Sequence, residues 1–187
     1  MTGVERLFAE HPIILGVVDA LSKFVDDLEA GAVDNRGELG RIMTFFREYA
    51  ELYHHEKEES ILWPALVHAG LRWDNGLIAD VRKDHEVEWS MLQSLRQASL
   101  QTTEWSIVDR RQVVDVCRRF IVFMREHVRK ENETLHPLIN EKMDGASRAV
   151  LNENLERFDA RLLASGELQI LTDLASDLVK HSRRVSE

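Results

Sequence analysis

A disulfide framework is excluded at once, because the 187 residues include a single cysteine. Cys117 sits in an apolar stretch with Val113, Val116 and Phe120, where a buried, inert thiol suited to a reducing compartment is expected. Three prolines and nine glycines are too few for a collagen-like or low-complexity chain. A surplus of positive charge is missing as well. The formal charge of −9 argues against general nucleic-acid binding, which needs a basic surface to displace counterions from phosphates. No apolar run approaches the length of a membrane span. The opening segment MTGVERLFAEHPIILGVVDAL has an early Glu and His, and no basic region leading into an uninterrupted apolar stretch, so it does not read as a secretion signal. The expectation is a cytoplasmic protein without nucleic-acid or membrane partners.

Strict apolar alternation is also absent, and apolar residues recur instead at helical spacing almost throughout. The predicted fold class is all-α. A first helix is expected over Pro12 to Glu29, with room for an extra turn before it. Gly31 to Gly37 breaks the pattern, and Asn35 with Glu38 resembles a capping box for a second helix reaching about Leu62, where Pro64 kinks or ends it. After the loop Gly70 to Gly76, a third helix spans Leu77 to Ser99, and a fourth runs from about Ser106 to His136 and meets Pro137. Two further helices, Ala146 to Ser165 and Glu167 to about His181, follow. Four long helices with short connections predict an up-down-up-down four-helix bundle over residues 1–144, and such a bundle builds metal sites in its core. Residues 145–187 are expected to form a helical extension that caps the bundle or makes a subunit contact, leaving a homodimer open.

Four histidines and two glutamates form a duplicated pattern: His11 then His54-x-x-x-Glu58, and His85 then His127-x-x-x-Glu131. An offset of 73 superimposes His54, Glu58, Leu62 and Pro64 on His127, Glu131, Leu135 and Pro137, while His11 and His85 need 74. A loop absorbs one residue.

Helix angle tests which of these residues point inward. At about 100° per residue, His54 falls about 20° from Met43 on the apolar face and His55 about 120° away. Glu58 is about 60° from Met43 and Glu59 about 160°, so His54 with Glu58 is the expected inward pair. His127 lies about 20° from Val116 and Phe120, with Glu131 about 40° further round. His11 shares a face with Val4, Leu7 and Val18, and His85 with Ile78, Val81, Trp89 and Leu92. One histidine on an apolar stripe is ordinarily a satisfied core residue. Four, with two glutamates that burial would penalise without a partner, predict a metal site.

Imidazole and carboxylate donors without thiolate suit Fe, Mn or Zn. Six ligands exceed one tetrahedral zinc, so the repeat assigns two histidines to each of two metals, with Glu58 and Glu131 able to bridge them. A solvent-derived bridging oxygen would leave one octahedral position open for a small molecule. Glu51-x-x-His54 and Glu133-x-x-His136 have the spacing of ferritin-like ligands but fall at different depths relative to Pro64 and Pro137, so they do not pair. Glu51 and Glu88 are candidates to orient ligand histidines. Tyr49 and Tyr53 read as packing residues, Trp89 could wall the open position, and His68, His136 and His181 read as non-ligands. The charged run Glu56 to Glu59 reads as partly solvated, with only Glu58 aimed inward.

The motifs Glu10-His11-Pro12, Tyr53-His54-His55-Glu56-Lys57-Glu58-Glu59, Asp84-His85-Glu86 and His127-Val128-Arg129-Lys130-Glu131-Asn132 resemble those of the hemerythrin-like (HHE cation-binding) family over about residues 4 to 140. The resemblance implies a di-iron centre, oxo- or hydroxo-bridged, held by His11, His54, Glu58, His85, His127 and Glu131, with Zn or Mn as alternatives. Oxygen-carrying members have a second histidine one turn along the third helix, where this chain has Val81 and Trp89, and a helix-four His-x-x-x-x-Asp, where it has Asn132. The ligand set is more similar to that of iron-centre repair proteins and the iron-sensing F-box domain, although the cysteine-bearing segment of many repair proteins is missing. Three functions follow as expectations: a protein binding O2, NO or peroxide; an enzyme or iron donor acting in peroxide removal or iron-centre repair; or a structural zinc bundle.

Overall fold

Capping and proline positions divide the chain into seven helices among residues 1–184, which are those the computed structural model describes; residues 185–187 of the expected extension lie outside the described residues. Helix α1, Gly3–Ala9, begins at a capping box in which Thr2 accepts from the Glu5 amide and Glu5 accepts from the Thr2 amide. Helix α2, His11–Glu29, starts with Pro12 in its first turn, where the missing N–H costs nothing. Helix α3 occupies residues 36–68 and is capped by the Asn35 side chain on the Glu38 amide. Helix α4 is Leu77–Ser99, and α5 runs over residues 107–142 from a Ser106 cap. Helices α6, Gly145–Ser165, and α7, Glu167–Arg184, are divided by Gly166 in the left-handed conformation (φ 78°). Strands are absent among the described residues.

A kink or an end is expected at Pro64, and at Pro137 by analogy, but neither proline ends its helix, and both α3 and α5 run on past the expected boundaries at Leu62 and His136. Each helix widens into a π-helical turn just before its proline, over Glu58–Leu62 and Glu131–Leu135. Trp63 donates its N–H to the Glu58 carbonyl, and His136 to the Glu131 carbonyl, five residues back in both cases. The wider turn makes room for a ring that cannot donate and would crowd the carbonyl four residues earlier. The helices then continue to His68 and Lys142.

Helix α2 packs on α5 and α7, α3 on α4 and α7, and α4 on α5. Two apolar clusters result. One contains Ile14, Phe46, Leu92, Phe120 and Met124; the other contains Leu7, Leu62, Val81, Leu135 and Leu155. On each of α2 to α5 a candidate ligand falls in sequence between members of the two: His11 between Leu7 of α1 and Ile14, His54 between Phe46 and Leu62, His85 between Val81 and Leu92, His127 between Met124 and Leu135. The polar residues therefore form a layer crossing the core, clamped above and below by side chains worth roughly 1.5–3 kcal/mol each when buried.

Helices α6 and α7 add to both clusters. Ala175 and Leu178 of α7 join the first, and Leu151 and Leu155 of α6 the second. Helix α6 lies close on α1, where the Val4 amide donates to the Asn152 side chain at 2.9 Å. Gly3 permits this approach, since a Cβ there would meet the Asn152 carbonyl oxygen at 2.6 Å.

Candidate metal centre

All six residues of the duplicated pattern reach this layer, and all are buried. His11, His54, Glu58 and Glu131 form one group of potential donors, and His85 and His127 belong to a second with His55. The imidazole Nε2 atoms of the four repeated histidines face the two glutamates. His11 Nε2 lies 3.2 Å from His54 Nε2 and 3.2 Å from Glu131 Oε2, while His127 Nε2 is 3.3 Å from Glu131 Oε1. Glu58 sets Oε1 3.8 Å from His54 Nε2 and Oε2 3.5 Å from His85 Nε2. Each carboxylate thus turns one oxygen to the His11/His54 side and the other to the His85/His127 side.

These spacings fit a shared cation. Two donors each about 2.1 Å from one ion, at ordinary coordination angles, stand about 3.0–3.4 Å apart. Both oxygens of Glu58 and of Glu131, and the Nε2 atoms of His85 and His127, are buried without hydrogen-bond partners among the described residues. Carboxylates so placed are costly unless a cation compensates them.

The outer ring nitrogens face a second set of residues that also obeys the repeat, and three of the four are hydrogen-bonded to it. His54 Nδ1 donates to Glu10 at 2.8 Å, and His127 Nδ1 is 3.7 Å from Asp84, with Glu10 and Asp84 related by the offset of 74. Lys57 binds Glu10, and its counterpart Lys130 binds Asp84. His11 Nδ1 donates to Asn132 at 2.9 Å and His85 Nδ1 to Glu59 at 2.8 Å, another related pair. A proton fixed on Nδ1 leaves the Nε2 lone pair free for a cation.

Without a cation, charges within the layer set its protonation. Burial opposes ionisation of Glu131, but the His127, His11 and His54 rings outweigh it and hold the carboxyl well below its usual range. Burial likewise disfavours a charged His85, yet the Glu58 carboxylate facing its Nε2 and the hydrogen bond from its Nδ1 to Glu59 raise it to about 10. His55 is pushed far down by burial and by His85 and His127.

His55 corrects the helical-wheel reading, which pointed it outward. It is 2% exposed and stacks on His85 with ring centroids 3.8 Å apart. The cause is a π-helical stretch over Phe46–His55: hydrogen bonds closing five residues back take an extra residue per turn, so the register lags the wheel. The inward direction then falls between His54 and His55. A run of adjacent histidines was the only trace of this in the sequence.

Lys57 also departs from the expected solvated run. It is 1% exposed, bound to Glu10 and, at 3.1 Å, to Asp159 of α6, with its ammonium 3.7 Å from the centre of the Tyr53 ring. Helix α6 covers this face of α3. Tyr53 donates to the same Asp159 at 2.9 Å, and Tyr49 is buried beside it, as packing residues. Trp89 does not face the core. It is 41% exposed and lines, with Glu51, Glu59, Arg82, His85 and Glu86, an open cavity of about 210 Å³ leading to His85.

A helical core crossed by a buried histidine–carboxylate layer has the donor set of a cation-binding domain. The hemerythrin HHE cation-binding domain matches residues 2–139, and the chain belongs to that family. Neither the curated proteins nor the solved structures compared with it gave a match.

Proposed function

We propose that the chain holds a pair of metal ions, iron in the first instance, and uses it to bind or react with O2, NO or peroxide in sensing, detoxification or iron handling. Helices α2 to α5 would form the up-down-up-down bundle that carries the pair, with residues 145–187 as its extension. His11 and His54 would hold one ion, His85 and His127 the other, and Glu58 and Glu131 would span both. The observation that carries this reading is the opposed orientation of the two oxygens on each buried glutamate.

His55 is the natural seventh ligand, on the His85 side. It takes the place of the second histidine that α4 lacks. The His11/His54 side then has fewer protein donors, so an external ligand has more room there. The pair would supply redox and Lewis-acid chemistry; the chain's own groups hold the ring protons on Nδ1, exclude bulk water through Leu62, Trp63, Phe120 and Met124, and admit only small molecules. A location in the cytoplasm belongs to the same proposal, and among the described residues no helix is long and apolar enough to cross a membrane.

The test is optical. Iron-loaded protein should show a near-ultraviolet or visible band that shifts on adding azide, NO or O2, and Glu58→Ala should abolish it. Aerobic protein that retains metal but has no spectrum responsive to any of these ligands would favour the structural zinc role.

A further inference from the structure

Outside the repeated ligands lies a second polar group. Glu51, His55 and Glu88 offer donor atoms within 4.8 Å of one another. Glu88 is fully buried, and neither of its oxygens has a hydrogen-bond partner among the described residues; Glu51 Oε1 and His55 Nδ1 are likewise buried and unpartnered. The His55 ring stands 3.7 Å from each carboxylate, Nδ1 facing Glu51 and Nε2 facing Glu88. These gaps are too long for hydrogen bonds.

The repeat shows that this polarity is not needed to build the pair. The offset of 73 relates Glu51 to Met124 and His55 to Val128, and the offset of 74 relates Glu88 to Ile14. All three counterparts are buried and apolar. The α2/α5 side of the layer is sealed with hydrocarbon at the positions where the α3/α4 side places two carboxylates and an imidazole.

The polar side is also the side that opens. Glu51 lines the cavity between α3 and α4, together with the carboxylates of Glu59 and Glu86, with His85 and Trp89, and with one guanidinium, Arg82, which the three carboxylates outnumber. His55 belongs both to the Glu51/Glu88 group and to the group with His85 and His127. A donor common to two adjoining groups is what a hand-over of an ion requires.

We infer that Glu51 and Glu88 form a transfer site, ending at His55 of the metal pair, through which a divalent transition-metal cation passes inward from the acidic mouth between α3 and α4. The mouth attracts the hydrated cation, Glu51 and Glu88 replace its water with carboxylate oxygens, and His55 receives it together with His85 and His127. This route rests on the metal-pair reading. It is passage, with no change in the ion's charge.

The full chain, stripped of metal, is mixed with Co2+ in a stopped-flow instrument, and both the rise of the visible bands and the final ion count are recorded. Wild type is expected to take up two ions. Glu88→Gln and, separately, the partly exposed Glu51→Gln are expected to load about tenfold more slowly or worse, the scale on which a charged cleft accelerates capture, and still to reach two. Wild-type rates in both variants overturn the route. So does a final count of one in either, which would make the carboxylate a resident ligand. A wild-type chain that takes up fewer than two ions overturns the pair itself, and the route with it.

Discussion

Glu131 sets Oε2 3.2 Å from His11 and Oε1 3.3 Å from His127, and this single side chain ties the two halves of the polar layer together. Replacing it by alanine should therefore lower the ion count on both sides, whereas a histidine variant should act on one. His54→Ala is expected to deplete the His11 side and His55→Ala the His85 side, each leaving about one ion per chain by elemental mass spectrometry. Full occupancy in His55→Ala would return that residue to a packing role. The sequence made His54 and Glu58 legible because repeat offset and helix angle select them independently. His55 was not legible, since a wheel with constant angle cannot register the π-helical stretch that turns it inward. Protonation gives another residue-scale expectation. Burial pushes Glu88 up to about 8 and Glu51 to about 7, and His85 is raised from 6.5 to about 10 by its glutamates despite burial. Each binds its proton more tightly folded than unfolded, so its stabilisation is complete below the unfolded value and is lost as the pH climbs through the folded one. His55, shifted the other way, acts below 6.5. Metal-free protein is thus expected to show a falling urea midpoint between pH 6.5 and about 10, the span of the His85 shift. A midpoint that rises across this span would contradict the assigned environments.

Among the elements, α3 carries the heaviest constraints, because it supplies donors to the layer and is covered on its outer face by α6. Lys57 marks that contact, bound between Glu10 at the junction of α1 and α2 and Asp159 of α6. Lys57→Ala would leave two buried carboxylates facing each other and is expected to cost about 3–5 kcal/mol in urea unfolding, with Lys57→Arg retaining much of it. Helix α1 offers a test of the same docking from the other side. Gly3→Ala would force a methyl against the Asn152 carbonyl and Leu155, and is expected to destabilise by about 1–3 kcal/mol while leaving the metal donors in place. An unchanged midpoint would mean that α6 does not hold this position in solution. Helix existence and most boundaries were legible from periodicity and capping: Leu77–Ser99 falls where the apolar spacing put it. The ends of α3 and α5 were not, because proline in a sequence signals a break, and only the surrounding structure decides whether a widened turn absorbs it.

At the scale of the whole molecule the chain is a duplicated histidine–glutamate pattern with unequal surroundings. The repeat extends beyond the ligands to their partners, Glu10 with Asp84, Lys57 with Lys130 and Glu59 with Asn132, which the ligand pattern alone did not bring out. It fails at Glu51, His55 and Glu88, on the side that opens to solvent. The apolar clusters on either side of the layer hold the helices together, so bound metal should add to stability by mass action instead of being required for folding. What the layer holds is settled most directly by the number of metal ions per chain, measured by elemental mass spectrometry on protein purified without a metal-affinity tag and reloaded with ferrous iron under anaerobic conditions. Two ions per chain, falling to one or none in Glu131→Ala, is the expected result. A wild-type chain that retains none, or two ions that persist in Glu131→Ala, would contradict a pair spanned by these glutamates.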